Sequence, residues 1–95
     1  MTLMLGDVIA RLRDGEEVAT LLATLDARTI DALARRAEAE GVGLPVSAVR
    51  AVDRFCHAAP EDAWTGLIGA MHAAELPGRA ALRFMVRWDL DAEAA

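Results

Sequence analysis

The chain has 95 residues, too few for two independent hydrophobic cores, so its length predicts a single domain over residues 1–95. Its composition is 55% hydrophobic but only 4% aromatic, and most of the apolar content is alanine and leucine, which favour helices. The net charge of −5 excludes the dominant basic footprint that nucleic-acid binding usually leaves.

Residue usage indicates the origin and compartment of the chain. All ten basic residues are arginine, and lysine, asparagine, glutamine and tyrosine are absent. Lysine, asparagine and tyrosine have AT-rich codons, so this usage indicates a GC-rich bacterial genome. The single cysteine, Cys56, has no partner for an intramolecular disulfide, which fits a reducing cytoplasm. The first segment lacks a basic start and is interrupted by Asp7 and Arg11, so we expect neither a signal peptide nor a membrane span.

Apolar residues recur along the chain at the spacing that builds one apolar stripe on each helix. The first set is Leu5, Val8, Ile9 and Leu12, and equivalent sets follow in later segments. Because the connections between sets are short, consecutive helices are expected to fold back on one another. The predicted fold class is therefore all-α, a compact bundle of about six short helices arranged as antiparallel helical hairpins. The predicted ranges are 3–13, 15–25, 27–40, 45–59, 60–75 and 77–90, with a frayed tail over residues 91–95.

Polar residues and proline mark the expected ends of these helices. Asp14 and Glu17 have the spacing of a capping box, and Asp26 is placed to cap the third helix. Gly41 is placed to end the third helix in a left-handed conformation. Pro60 stands at a first helical position, followed by acidic residues in the positive first turn.

The segment EVATLLATLD, over residues 17–26, also has an alternative interpretation as a strand. Alternation would place Thr20 and Thr24 on one face, and two helices follow. In that interpretation residues 18–57 resemble the ribbon-helix-helix family, whose paired strands enter the DNA major groove. The resemblance implies a DNA-binding dimer. The capping-box spacing and the helical leucine spacing favour a helix instead.

The third and fourth helices flank the turn EGVGLP, which resembles the corner of a helix-turn-helix protein. Ser47, Arg50 and Arg54 are then predicted to share one outward face, where two arginines could reach guanine edges or phosphates. Asp53 borders this face and would repel phosphate. The inward positions predicted for the fourth helix are Val49, Val52, Cys56 and Ala59.

The last helix carries a single row of arginines, Arg79, Arg83 and Arg87, spaced four residues apart. Nearly all residues between them are apolar, so most of the helix circumference must be covered. A chain of this length has difficulty covering so wide a face, which predicts a homodimer or another protein partner at this helix. The residues predicted for this interface are Arg79, Leu82, Arg83, Val86, Arg87 and Trp88.

Residues with catalytic or metal-binding chemistry are few. Ser47 and His57 lie on one predicted helix about 15 Å apart along its axis, too far to act as a nucleophile and its base. Cys56 and His57 could hold a metal only if folding brought His72 to them, and no ligand-spacing motif supports such a site. We therefore predict no catalytic residue, no cofactor and no metal.

These observations predict a non-enzymatic cytoplasmic module for protein interaction and dimerisation. The alternative function is a small DNA-binding transcriptional regulator of helix-turn-helix or ribbon-helix-helix type that uses residues 27–57. Nucleic-acid binding is disfavoured by the net charge of −5. A lesser possibility is a metal- or ligand-dependent stress protein that uses Cys56, His57 and His72.

Overall fold

The computed structural model describes the backbone of residues 5–94 and the side chains of residues 5–92. These residues form six α-helices and no strand. The helices are α1 (Leu5–Leu12), α2 (Gly15–Leu22), α3 (Ala27–Glu40), α4 (Leu44–Ala58), α5 (Glu61–Ala73) and α6 (Pro77–Ala94). The predicted all-α bundle is confirmed, and each predicted helix has a counterpart in the structure.

The strand interpretation of residues 17–26 is wrong, because this segment forms α2 and the turn that follows it. Val18 and Leu22 lie one helical turn apart and are both buried. A ribbon-helix-helix arrangement needs the same segment to pair as an extended strand. The spacing of its large apolar residues fits a helix because they all fall on one side of it.

Local sequence signals explain where several helices begin and end. Asp14 caps α2 by accepting a hydrogen bond from the backbone N–H of Glu16 at 2.9 Å, and Asp26 caps α3 through the N–H of Thr29 at 3.1 Å. Gly41 ends α3 with a φ of 69°, a left-handed conformation that glycine adopts without strain. Pro60 lies one position earlier than predicted, since it precedes the first residue of α5.

Helix α6 lies at the centre of the bundle, and each of the other five helices contacts it. It packs most extensively against α5 and α4. Its residues Ala81, Leu82, Met85 and Val86 have no exposed surface. The wide apolar circumference of this helix is therefore covered within the chain, by helices drawn from the whole sequence.

The aromatic side chains form one cluster around Phe55 of α4. The rings of Trp64, Phe84 and Trp88 meet it edge-on, with ring centroids 4.9, 6.1 and 5.3 Å from that of Phe55. Edge-to-face pairs at this separation are favourable because the positive ring edge meets the negative ring face. Both tryptophans thus pack against the core, each half-buried.

The prediction of a frayed tail is wrong for residues 91–94, because α6 continues to Ala94. Residue 95 lies outside the described part of the chain. Buried Asp89 and half-buried Leu90 anchor this end of the helix to the bundle. The sequence after them contains no glycine or proline to stop the helix.

Within the described residues, no helix is both long and apolar enough to cross a bilayer.

Candidate functional site

A buried carboxylate, that of Asp89, joins three helices. Its side chain on α6 is 7% exposed, and the guanidinium of Arg36 on α3, 8% exposed, donates to it. Arg36 also donates to the backbone carbonyl of Asp89 at 3.3 Å. From α4, Arg54 donates through Nε and Nη2 at 3.0 and 2.9 Å. We call Asp89, Arg36 and Arg54 the Asp89 network.

The network continues to Glu40 at the end of α3. A carboxylate oxygen of Glu40 lies 3.6 Å from Nη1 of Arg54 and 4.0 Å from Nη1 of Arg50. The hydroxyl of Ser47 donates to Glu40 at 3.2 Å. Basic and acidic groups therefore satisfy each other along the contact of α3 and α4.

These contacts correct one member of the outward face predicted for Ser47, Arg50 and Arg54. Ser47 has no exposed surface, and Arg54 is held by the Asp89 network. Arg50 and Arg54 keep exposed surface, with side chains 48% and 41% exposed, and both face the carboxylate of Glu40. The physical reason is that α4 packs against α2, α3 and α6, so the face with Ser47 is turned into the bundle.

A cavity of about 440 Å³ opens beside the Asp89 network, between α4 and the end of α6. Its polar lining comes from Glu40, Arg54, His57 and Asp89, and Trp88 supplies an aromatic wall. The ring of His57 places Nδ1 2.8 Å from the backbone carbonyl of Asp53, so Nδ1 carries the proton that it donates there. The charged groups of this cavity bind one another, which is the arrangement of a structural ion cluster.

Sequence reasoning missed Asp89, although a signal for it was present. Asp89 lies four residues after Met85 and seven after Leu82, so it continues the buried stripe of α6. A carboxylate on such a stripe needs cationic partners when it is buried. Those partners come from α3 and α4, far away in sequence.

A second concavity, the α5–α6 groove, has a volume of about 470 Å³. Its lining residues are Ala70 and Ala74 of α5, Glu75 and Leu76 of the connection, and Arg79, Ala80, Arg83 and Phe84 of α6. Small alanine side chains leave space between the two helices, and Phe84 forms an apolar wall. Leu76 is 58% exposed, the most exposed of the large apolar residues in the described part of the chain.

The two arginines of the groove are held differently. Arg83 donates through Nε to Oδ1 of Asp26 at 3.0 Å, and its terminal Nη groups donate to no described residue. Arg79 makes no ion pair or hydrogen bond with any side chain between residues 5 and 92. The groove thus has one oriented guanidinium and one that is not engaged.

Asp26 is the carboxylate that orients Arg83. The hydrogen bond from Arg83, followed by side-chain and backbone hydrogen bonds from Thr29, holds the pKa of Asp26 well below its ordinary value of 3.8. Hydrogen bonds to the charged form explain this direction, since they stabilise the carboxylate over the protonated acid. Asp26 is therefore charged whenever the protein is folded near neutral pH.

The predicted interface residues of α6 differ in how far they are buried. Leu82 and Val86 are fully buried, so the structure corrects their assignment to a partner surface. Trp88 is half-buried and belongs to the aromatic cluster. Arg87 is partly exposed and pairs weakly with Asp91 at 3.4 Å. Of the six predicted residues, Arg79 and Arg83 are the ones that lie exposed in a groove.

Metal-binding side chains do not gather in the described part of the chain. Among those residues, no group of three or more histidine, cysteine, aspartate or glutamate side chains is placed to hold a metal ion. Cys56 is a half-buried free thiol that packs against the core, while His57 and His72 are exposed.

Comparison of the chain with protein-family models, with curated proteins and with solved structures found no match. The geometry of the surface is therefore the basis for assigning a function.

Proposed function

We propose that the chain is a non-enzymatic protein-interaction module that docks its partner in the α5–α6 groove. The observation that carries the proposal is the exposed side chain of Leu76 beside an apolar wall and two arginines. An apolar groove with a polar rim is the usual composition of a surface that receives another protein. Arginine is also enriched at the residues that dominate binding energy in such surfaces.

Comparison of the groove with two other concavities among the described residues supports this choice. The cavity beside the Asp89 network is lined by charged groups that already bind one another. A third concavity, of about 490 Å³ between α2 and the starts of α3 and α4, has Asp31 as its one charged lining residue. The α5–α6 groove combines apolar surface with cationic donors that remain available, so it has the means to select a partner.

The side chains of the groove also favour binding over catalysis. Arginine stays protonated at physiological pH and cannot act as a general base. Glu75 is the groove's single carboxylate, and the lining contains no serine, cysteine or histidine nucleophile. The arginines and apolar side chains of the groove are sufficient to bind a partner.

The homodimer predicted from the sequence remains part of the proposal in a changed form. The wide face of α6 no longer motivates it, because that face is covered within the chain. A second copy would have to use the groove at the α5–α6 hairpin. The proposal therefore places self-association and binding of another protein on the same surface.

The test compares two substitutions of exposed apolar residues. Leu76→Ser removes the apolar side chain of the groove, and Val46→Ser is the control because Val46 is 48% exposed and lies outside the groove. Each tagged protein is used for affinity purification from extract of the source cell, followed by mass spectrometry, and its mass is measured by light scattering. We expect the wild type and Val46→Ser to retain the same partner or dimer and Leu76→Ser to lose it. Equal retention by both variants, or a monomer without any partner for the wild type, would contradict the proposal.

A further inference from the structure

We infer that the groove receives an amphipathic helix that carries a carboxylate beside its apolar face. This inference rests on the proposed function and adds the chemistry of the partner. It follows from three features of the groove: the form of its walls, the orientation of Arg83 and the position of Arg79.

The walls favour a helix over other peptide conformations. Extended peptides usually bind by adding a strand to a sheet edge, and residues 5–94 contain no strand. Proline-rich segments need a groove lined by several aromatic rings, whereas Phe84 is the single aromatic residue lining this one. A channel between two helices, floored by alanines, fits the remaining common mode, in which a helix lays its apolar face into a groove.

Arg83 is prepared to bind an anion. Asp26 fixes its guanidinium through Nε, and Asp26 is itself fixed by hydrogen bonds from Thr29 at the start of α3. The terminal Nη groups of Arg83 donate to no described residue, so the planar fork can still bind a carboxylate. Because the side chain is already oriented, less conformational entropy is lost when a partner binds.

Arg79 has an electrostatically unfavourable position that a bound carboxylate would relieve. It lies in the first turn of α6, where the helix dipole is positive and cations are disfavoured. No described side chain neutralises it. One helical turn separates Arg79 from Arg83, so a single acidic residue can lie between the two guanidinium groups.

The charges around the groove also set the orientation of the partner. Glu75 lines the groove as well, and it would repel an acidic residue placed near it. The net charge of −5 opposes an acidic partner at long range, but charges beyond about 8–10 Å are largely screened at physiological ionic strength. The attraction is therefore local, and the carboxylate of the partner belongs on the α6 side of the groove.

The test uses two synthetic peptides of about 14 residues, the length of an ordinary helix. Both carry leucines on one face, and they differ only in whether the flanking positions are glutamate or glutamine. Binding of the labelled peptides to the full chain is measured by fluorescence polarisation at about 50 mM and about 500 mM salt. We expect the glutamate peptide to bind about tenfold more tightly at low salt and to lose this advantage at high salt.

Two charge-removing variants localise the effect. Arg79→Gln is expected to weaken binding of the glutamate peptide about tenfold and to leave the glutamine peptide unchanged. Arg28→Gln removes an exposed charge outside the groove and should change neither affinity. Equal affinities of the two peptides, no binding of either, or equal effects of the two variants would overturn the inference.

The outcome also separates the inference from the proposed function. If Leu76→Ser abolishes a complex that Arg79→Gln leaves intact, the groove is a docking site whose partner is not acidic. If the complex lost is a homodimer, the occupant is a second copy and the commitment to a separate acidic helix falls. If Leu76→Ser has no effect on any complex, the proposed function itself fails.

Discussion

Two glycines inside α5 have different surroundings, although the sequence alone does not distinguish them. A Cβ atom added at Gly66 would come within 2.8 Å of Cζ of Phe84, whereas one added at Gly69 would meet no atom within 4 Å. Gly66 therefore allows the Phe84 ring to pack against the helix backbone. Gly69 weakens the helix without any such packing role.

This difference predicts opposite outcomes for two alanine substitutions. Gly69→Ala should raise the free energy of unfolding by about 1 kcal/mol, because alanine is the better helix former. Gly66→Ala gains the same propensity but must displace the Phe84 ring, so we expect no net stabilisation. Urea denaturation of both variants measures the difference. Equal stabilisation would mean that the Phe84 ring can tilt aside without loss of packing.

Asp26 makes the stability of the protein depend on pH. Its pKa is held well below 3.8 in the folded state by Arg83 and Thr29, so the folded protein binds fewer protons than the unfolded chain in acid. The stabilisation is complete above the unfolded-state pKa and is lost as the pH falls through the lower folded-state value.

We therefore expect Asp26→Asn to lower the melting temperature most at about pH 7 and progressively less in acid below about pH 4. Asparagine is also a good helix cap, so this variant removes mainly the charge of residue 26. Asp31→Asn is the control for loss of one negative charge from α3. Melting temperatures measured from about pH 2 to about pH 7 test the expectation. A gap between Asp26→Asn and wild type that stays constant with pH would contradict it.

At the scale of the helices, the Asp89 network fixes α3, α4 and α6 against one another. A buried ion pair contributes little compared with apolar packing, but loss of a buried acceptor removes the hydrogen bonds that it received. The Asp89 carboxylate is only 7% exposed and is the acceptor shared by Arg36 of α3 and Arg54 of α4. The network therefore ties α3 and α4 to the end of α6 through one buried carboxylate.

Asp89→Asn should destabilise the protein by about 1–3 kcal/mol, because the buried carboxylate of Asp89 accepts hydrogen bonds from both Arg36 and Arg54. Asp91→Asn is the matched control on the same helix: it breaks an exposed pair with Arg87, and we expect a change below about 1 kcal/mol. Chemical denaturation measures both values. Adding Arg36→Met to Asp89→Asn should recover part of the loss, and a purely additive double variant would show that the two groups are not coupled.

The positions of the helices in the sequence were predictable, but which side of α4 faces the core was not. The sequence predicted Val49 and Cys56 on the inward face, whereas the structure buries Ala48 and Ala51 and leaves Val49 and Cys56 half-buried. Hydrophobic periodicity gives weight to large side chains, while close approach of helices selects small ones. For the same reason Ser47 lies buried on the inward side of α4, whereas the sequence predicted it on the outward face.

At the scale of the whole molecule, α6 combines the two sites that the sequence could identify only in part. The arginine row indicated Arg79 and Arg83, which lie exposed in the groove. The contributions of Leu76 and Phe84 depend on how the α5–α6 connection folds, and local periodicity does not contain that information. The role of Asp89 could not be predicted from α6 alone, because its partners Arg36 and Arg54 lie on α3 and α4.

The coverage of α6 by the rest of the chain leads to a prediction that separates core from docking surface. Leu82 has no exposed surface, so Leu82→Ala should lower stability by about 2–5 kcal/mol and the melting temperature by about 10 °C or more. Leu76→Ala should change stability by no more than about 0.5 kcal/mol, because Leu76 is 58% exposed.

Thermal unfolding over a hundredfold range of protein concentration provides the measurement. Because α6 is covered within one chain, the effect of Leu82→Ala should be the same at every concentration. A loss that grows on dilution would mean that a second subunit helps to bury this helix, which would restore the interface predicted from the sequence.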